Sequence, residues 1–279
     1  QPLPAELPPH DLITIAASES QANHALLQQL AQALNVWCSP VFNRPERILM
    51  TARDMACKLI QGVPGVYMPA TAQVSRAALQ WLIDGHCALA DMLPQGAYPL
   101  IIRPLDSHAG HGLEKIETRQ ALVDYLAGAG EDEFFISPFV DYRSADGLFR
   151  KYRVVMVDGV PFAGHMGVST HWMIHYLNAG MTDSAEKRAE EEAFMRSFDT
   201  GFAQRHGPAL KALSDRFGLE YLVIDCGETP TGELLVFEVD PGAVVHSMDP
   251  PDLFPYKAAH MQKVFKAFRA MLQRVVLAG

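Results

Sequence analysis

Glu220-Tyr-Leu-Val-Ile-Asp-Cys-Gly-Glu-Thr-Pro-Thr-Gly-Glu-Leu-Leu-Val-Phe-Glu-Val-Asp240 reads as two β-strands joined by a turn. Leu219–Cys226 and Leu234–Val239 are rich in β-branched and aromatic residues, and Thr229-Pro230-Thr231-Gly232 between them is turn chemistry. Asp225 lies near the end of the first strand, Glu238 and Asp240 at the end of the second. Side chains two apart on a strand share a face, so Glu238 and Asp240 project together and the hairpin brings Asp225 opposite them. A lone acid at a strand end is most simply a solvated group. Three within apolar strands are costly unless a cation compensates them. Hard oxygen ligands that leave places for water and phosphate suit Mg²⁺, with Mn²⁺ as the alternative.

Working outward, the next strand upstream carries the opposite charge. Lys151–Val157 and Val160–Met166 form a hairpin around Asp158-Gly159, a strong turn signal. Arg150, Lys151 and Arg153 open it, and Lys151 and Arg153 face the same way, as a protected edge or as a cationic wall for phosphates. Further back, Tyr98–Arg103 is a buried strand ending in a cation, stopped by Pro104. Ser107-His108-Ala109-Gly110-His111-Gly112 follows and Lys115 lies just beyond. A glycine-rich turn between strands lets backbone N–H groups approach phosphate oxygens. Of eleven histidines, His171 and His175 are four apart, the spacing of a shared helix face, but no third zinc ligand accompanies them.

The rest of the chain supplies the frame. Asp11–Ala17 is a strand candidate, Ala22–Leu34 a helix, Val36–Phe42 a second strand, and Thr51–Ile60 a helix capped by Thr51. Gly62–Pro69 reads as an extended loop and Val74–Ile83 as helix. Leu113–Glu117, Thr118–Ala127 and Phe134–Val140 read as strand, helix and strand. Ala185–Phe198 is a charged helix with a solvated face, Pro208–Phe217 a further helix, and Tyr256–Val276 an amphipathic closing helix. These elements divide the chain into a Pro-rich linker (1–10), an N-terminal α/β unit (11–95), a lid-like α+β unit (96–137) and a C-terminal unit holding the acids (138–279).

Length and composition limit what the chain does. At 279 residues, 49% apolar and 20% charged, it is an ordinary globular protein with a substantial core. A formal charge of −9 argues against a nucleic-acid binder, which presents a basic face. Cys38, Cys57, Cys87 and Cys226 are widely spaced and read as buried free thiols of a reducing, cytoplasmic compartment. No apolar run is long enough to span a bilayer, so no membrane partner is expected.

Ile102-Arg103-Pro104, the glycine-rich loop, Ile136-Ser-Pro-Phe-Val140, the Lys-Tyr-Arg-Val-Val strand and Asp225…Glu238-Val-Asp240-Pro241 together resemble the ATP-grasp superfamily from about Asn43 onward. Asp240 stands where that family usually has Asn. More narrowly, Phe149-Arg-Lys-Tyr-Arg153, Ser169-Thr-His-Trp172, His175-Tyr176 and Phe237-Glu-Val-Asp240 resemble the ATP-grasp domain attached to bacterial tetratricopeptide-repeat proteins. The resemblance implies an α+β fold in which two subdomains clasp ATP. It implies adenine against backbone groups of Phe139 and Val140, ribose at Asp141 or Asp146, and phosphates at Arg103 and at Arg53 or Lys58. Ser107, His108, Gly110, Gly112 and Lys115 would close over the phosphates, and Asp225, Glu238 and Asp240 would hold Mg²⁺. Arg153 and Lys151 would neutralise an acylphosphate, with His171, Trp172 and His175 on the acceptor side. The expected activity is an ADP-forming ligase joining a small carboxylate or peptide to an amine or other nucleophile, with a repeat region of the same full-length protein as partner. A small-molecule kinase and a non-catalytic ATP-binding scaffold are the alternatives.

Overall fold

The computed structural model of the protein describes residues 9–107 and 110–278. In chain order the elements are β1 (Ile13–Thr14), α1 (Gln21–Leu34), β2 (Val41–Phe42), α2 (Pro45–Ile48), α3 (Arg53–Ile60), β3 (Val66–Tyr67), β4 (Ala72–Ser75), α4 (Arg76–Ile83) and α5 (Leu89–Met92). Then come β5 (Leu100–Pro104), β6 (Glu114–Ile116), α6 (Arg119–Gly128), β7 (Glu133–Pro138), β8 (Phe149–Val157) and β9 (Val160–Ser169). The chain continues with α7 (Ala185–Ser197), α8 (Phe202–Phe217), β10 (Tyr221–Glu228), β11 (Leu234–Asp240) and α9 (Lys257–Ala278).

Two sheets dominate, ordered β3-β11-β10-β8-β9 and β4-β7-β5-β6, and β1 and β2 pair in parallel beside them. Alternation along Phe149-Arg-Lys-Tyr-Arg-Val-Val-Met-Val157 explains how the larger sheet packs. Tyr152, Val154 and Met156 enter a core with Leu210, Leu213 and Phe217 of α8 and Met195 of α7. On the other face Val155 and Val157 meet Val264 and Met271 of α9, while Lys151 and Arg153 turn to a cleft. One side of the sheet is thus fully covered, and the other is covered only at the valine end. Asp158 and Gly159 adopt φ of 51° and 77°, the left-handed pair that a two-residue hairpin turn demands.

The smaller sheet has its own core, with Leu79 and Leu82 of α4 and Leu122 and Leu126 of α6 against Leu100, Ile102, Phe134 and Ile136. Strand β4 and helices α4 and α5, placed by sequence with the N-terminal unit, therefore belong with this sheet. The chain passes between the two sheets at Met68–Thr71 and again at Phe139–Leu148.

Several local expectations are corrected. Val74 and Ser75 are strand residues, and Ser75 caps α4 through Ala78 N–H. Thr51 caps nothing, because its hydroxyl donates to the Ile48 carbonyl at 2.7 Å. Helix α8 begins at Phe202 with Pro208 inside it, since Phe202 and His206 continue its buried face. Of the four cysteines, all unpaired, only Cys226 is buried; Cys38 is exposed. The charged helix α7 is not simply solvated, because Glu191 is 0% exposed.

Candidate functional site

Between the two sheets lies a cleft of about 330 Å³ bordered by both crossings, through Met68, Pro69 and Thr71 on one and Phe139, Val140 and Tyr142 on the other. Its floor is part of a row of residues running across the larger sheet, of which Arg153, Asp225 and Glu238 line the cleft. His165 pairs with Arg153, Arg153 with Asp225, and Asp225 with Glu238. Directly opposed residues share a face, so one line of the sheet carries imidazole, guanidinium and two carboxylates. Asp240 lies two residues beyond Glu238, opposite Val223, and also lines the cleft.

A β-bulge on each side makes this row. In β11 Asp225 pairs with Glu238 and Cys226 with Val236, so Phe237 has no partner. Leu234, Val236 and Val239 all enter the helix-covered core. Simple alternation from Val236 would send Glu238 and Asp240 into that core as well. The extra residue reverses the parity and turns both acids to the cleft. In β9 the extra residue is Gly164, between Ala163 opposite Val154 and His165 opposite Arg153. A Cβ there would sit 2.8 Å from Arg153 Cγ and 3.0 Å from its carbonyl oxygen, so glycine gives the Arg153 side chain its place.

Asp225 is 4% exposed. Its carboxylate accepts from Arg153 Nε at 2.7 Å and Nη2 at 3.0 Å and lies 2.8 Å from Lys151 Nζ. Burial alone would raise this carboxyl, but Lys151 and Arg153 outweigh it and hold it well below the usual carboxylate range. Burial likewise opposes Glu238, which Arg53 and Arg103 keep on the low side; Arg53 Nη2 is 2.9 Å from Glu238 Oε1 and Nη1 donates to the Phe237 carbonyl at 2.8 Å. Asp240 Oδ1 accepts from Ser18 Oγ at 2.7 Å and from Gly242 N–H at 2.8 Å. Arg103 bonds to Ser107 through Oγ and the carbonyl, and burial and then the Arg53 charge push it down to about 10. His175 is lowered by burial and then by Lys151 and Arg153, so it is mainly neutral at pH 7.

The cleft therefore holds four cations, Arg53, Arg103, Lys151 and Arg153, against the three carboxylates Asp225, Glu238 and Asp240. In a chain of formal charge −9 this is a local reversal of sign, suited to a polyanion. Among the described residues no three His, Cys, Asp or Glu side chains converge as a closed metal cage. Mg²⁺ needs none, since it binds through one or two carboxylates together with phosphate oxygens and water. Facing carboxylates at Asp225 and Glu238, with Asp240 alongside, fit that donor set.

The structure sorts the sequence candidates. Arg53, Arg103, Gly110, Phe139, Val140, Lys151, Arg153, His175, Asp225, Glu238 and Asp240 all line the cleft. Arg53 rather than Lys58 does so, because Lys58 is exposed and 3.0 Å from Asp54. Ser107 lines a small adjoining cavity with Ser18, Glu19 and Asp106. Gly112 is not in the lining, and its φ of 64° serves the turn against Pro104. Lys115 stands 4.1 Å over the Phe139 ring and pairs with Glu117. Asp141 pairs with Arg143, and Asp146 with Arg150, both outside the cleft lining. His171 is exposed and no α-helix joins it to His175, so the two share no face. His108 lies outside the described residues. The N–H of Phe139 is taken by the Pro99 carbonyl at 3.1 Å.

Sequence reasoning missed Met68 and Pro69, inside the stretch Gly62–Pro69 that reads as an extended loop, and Thr71 just beyond it; the alternating Val66 and Met68 before Pro69 were the available signal. It also missed Ser18, for which there was none.

No protein-family model matches the chain, and no curated protein matches it in sequence. Solved structures do. A D-Ala:D-Ser ligase, VanG, from Enterococcus faecalis aligns at 16% identity and TM-score 0.51, over 92% of this chain and 73% of that one. A RimK domain ATP-grasp protein from Sphaerobacter thermophilus aligns at 15% identity and TM-score 0.55, over 97% and 82%. A D-alanine–D-alanine ligase from Bacillus anthracis, solved with ATP, aligns at 13% identity and TM-score 0.55, over 96% and 80%. The fold is ATP-grasp. The cleft lies between the two sheets of that fold, and the acid row sits on the larger of them. Among the described residues no helix is long and apolar enough to cross a membrane.

Proposed function

We propose that the protein is an ATP-dependent, Mg²⁺-requiring ligase. A substrate carboxylate oxygen attacks the γ-phosphorus of ATP, the bond to the β–γ bridging oxygen breaks, and ADP leaves. An amine or another nucleophile then attacks the acyl carbon, the acyl C–O bond to phosphate breaks, inorganic phosphate leaves, and the nucleophile gives up its proton. The observation that carries this reading is the row Arg153–Asp225–Glu238 with Asp240, facing Arg53 and Arg103 in one cleft. Phosphoryl transfer asks the protein for position and charge neutralisation rather than covalent chemistry.

Asp225, Glu238 and Asp240 would hold Mg²⁺, which supplies charge neutralisation at the phosphates. Arg53 and Arg103 would meet the phosphates; Lys151 and Arg153 would face the transferred group. The half-apolar wall at Phe139, Val140 and Tyr142 suits a purine. His175, beside Lys151 and Arg153, belongs to the acceptor side, whereas exposed His171 does not. The ligases it aligns with act on small amino acids, so amino acids and short peptides are the first substrates to try. The tetratricopeptide-repeat resemblance makes a repeat region of the full-length polypeptide the partner in this reading.

The test is ADP release on a panel of amino acids and peptides with Mg²⁺, with mass analysis of products. A new amide or ester supports the ligase, and a stable phosphorylated product supports a kinase instead. Absence of any ATP binding by calorimetry with Mg²⁺ present sinks both.

A further inference from the structure

The segment between β9 and α7 forms one wall of the cleft, through Trp172, Met173, Ile174 and His175. It contains only one short helical turn, Tyr176–Asn178, so its own backbone does not hold it in place. What holds it is a buried polar cluster whose members lie outside the cleft lining. Glu191 of α7, 0% exposed, accepts from Tyr176 Oη at 2.9 Å and from Tyr256 Oη at 2.6 Å on one oxygen. Its other oxygen accepts from Met166 N–H of β9 at 3.0 Å and lies 3.4 Å from Lys257 Nζ. Lys257, 4% exposed at the start of α9, donates to Tyr176 Oη, lies 3.3 Å from Asp249, and stands 4.1 Å over the Tyr176 ring. The opposite edge of that wall is tied by Tyr142 Oη to the Trp172 carbonyl.

Tyr176 is the one member of the cluster that belongs to the wall. Its ring also lies against that of His165 in a tilted pair, centroid distance 4.5 Å, and His165 is the end residue of the charged row. One side chain of the segment that forms the wall therefore touches the end of the charged row, α7 and α9.

We propose that Tyr176, held by Glu191 and Lys257, is the positioning residue for the Trp172–His175 wall. Only its consequence for ligand binding rests on the ATP-cleft reading. A buried carboxylate and ammonium are costly unless paired and hydrogen-bonded; here Glu191 accepts from Met166, Tyr176 and Tyr256, and Lys257 donates to Tyr176 Oη and pairs with Glu191 and Asp249. Such a cluster specifies one geometry rather than adding raw stability. Removing the Tyr176 hydroxyl leaves the Lys257 ion pairs with Glu191 and Asp249 and the Tyr256 bond in place, and takes from Glu191 and Lys257 the one hydrogen bond that each makes to the wall segment.

Trp172 reports on the wall directly, in a Trp37→Phe, Trp81→Phe background that leaves it as the sole tryptophan of the three. Tyr176→Phe should red-shift Trp172 emission and give roughly a doubling of its acrylamide quenching constant, as local opening requires. Mg²⁺-ATP affinity should fall about five-fold through the lost preorganisation. Tyr256→Phe is the control: it deletes a bond to the same Glu191 oxygen without touching the wall, and should leave both readings unchanged. Unchanged quenching in Tyr176→Phe, or an equal change in Tyr256→Phe, overturns the proposal. If Tyr176→Phe does not fold, hydrogen exchange on the unaltered chain decides. Asn178 and Ala179 amides, bonded to the His175 and Tyr176 carbonyls, should then exchange as slowly as those of β9, and free-loop rates overturn the idea. A changed Trp172 signal with no ATP binding in any variant upholds the positioning role and removes the ATP reading alone.

Discussion

Asp225→Asn tests the electrostatics of the cleft floor most directly. The amide keeps the shape of the side chain and removes its charge. Lys151 and Arg153, with side chains 19% and 27% exposed, would then stand side by side over a site that is 4% exposed without their shared anion. Removing one member of a buried pair costs about 3–5 kcal/mol, most of it the penalty on the charge left behind. Glu238, on the adjacent strand, offsets a little of that, so a loss of about 3 kcal/mol is expected. For a chain of this size roughly 2–4 °C accompanies each kcal/mol, which places the melting temperature about 6–12 °C lower. The pH dependence carries a second signature. Because the two cations hold the Asp225 carboxyl below its ordinary value, its contribution is complete above about pH 4 and disappears only as pH falls through the depressed folded value. The gap between wild type and variant should therefore be constant from pH 5 to 8 in urea titrations. Inorganic triphosphate without metal should restore part of the lost stability in the variant, since a bound anion stabilises in proportion to the logarithm of its saturation. A loss below about 1 kcal/mol, or a gap that narrows between pH 8 and pH 5, would refute the pairing as the source of the effect.

Three other changes follow from the same geometry. Arg103→Ala should weaken Mg²⁺-ATP binding about 10- to 100-fold by calorimetry, the value of a charged hydrogen bond, while leaving apo stability equal or higher because it relieves Arg53; the opposite pattern counts against a phosphate role. Gly164→Ala should cost about 1–3 kcal/mol by overpacking against Arg153 and weaken nucleotide binding with it, and a neutral result shows that the bulge tolerates a Cβ. His165 is held neutral by burial and then by Arg153, so the unfolded chain takes up a proton near pH 6.5 that the folded chain refuses. Stability should thus fall as pH drops below 6.5, and His165→Phe should flatten that slope by up to about 1.4 kcal/mol per pH unit, read from urea midpoints between pH 7 and 5.

What the sequence made legible, and what it did not, divides along the range of the interaction responsible. The turn at Asp158-Gly159, the strands around Asp225 and Glu238, and the pairing of Lys151 with Arg153 on one face are consequences of near neighbours, and the structure has them. That Glu238 and Asp240 point together was also local. Which way they point was not: Leu234 and Val236 enter the core, so strict alternation buries both acids against α8, and only the unpaired Phe237 turns them to the cleft. Nothing in Leu-Leu-Val-Phe-Glu-Val-Asp announces that extra residue, because a bulge is decided by what the partner strand offers, here Asp225 with two cations already bound to it. The same holds for Glu191, one of three consecutive glutamates in a helix that reads as solvated. Its neighbours Glu190 and Glu192 meet Arg150 and Arg196, while Glu191 alone rotates under Met166, Tyr176 and Tyr256. In both cases residue type fixes the charge available, and packing between distant strands and helices decides which face receives it. The charged row is therefore readable from sequence as a set of residues, and its direction is set by the two bulges beside it.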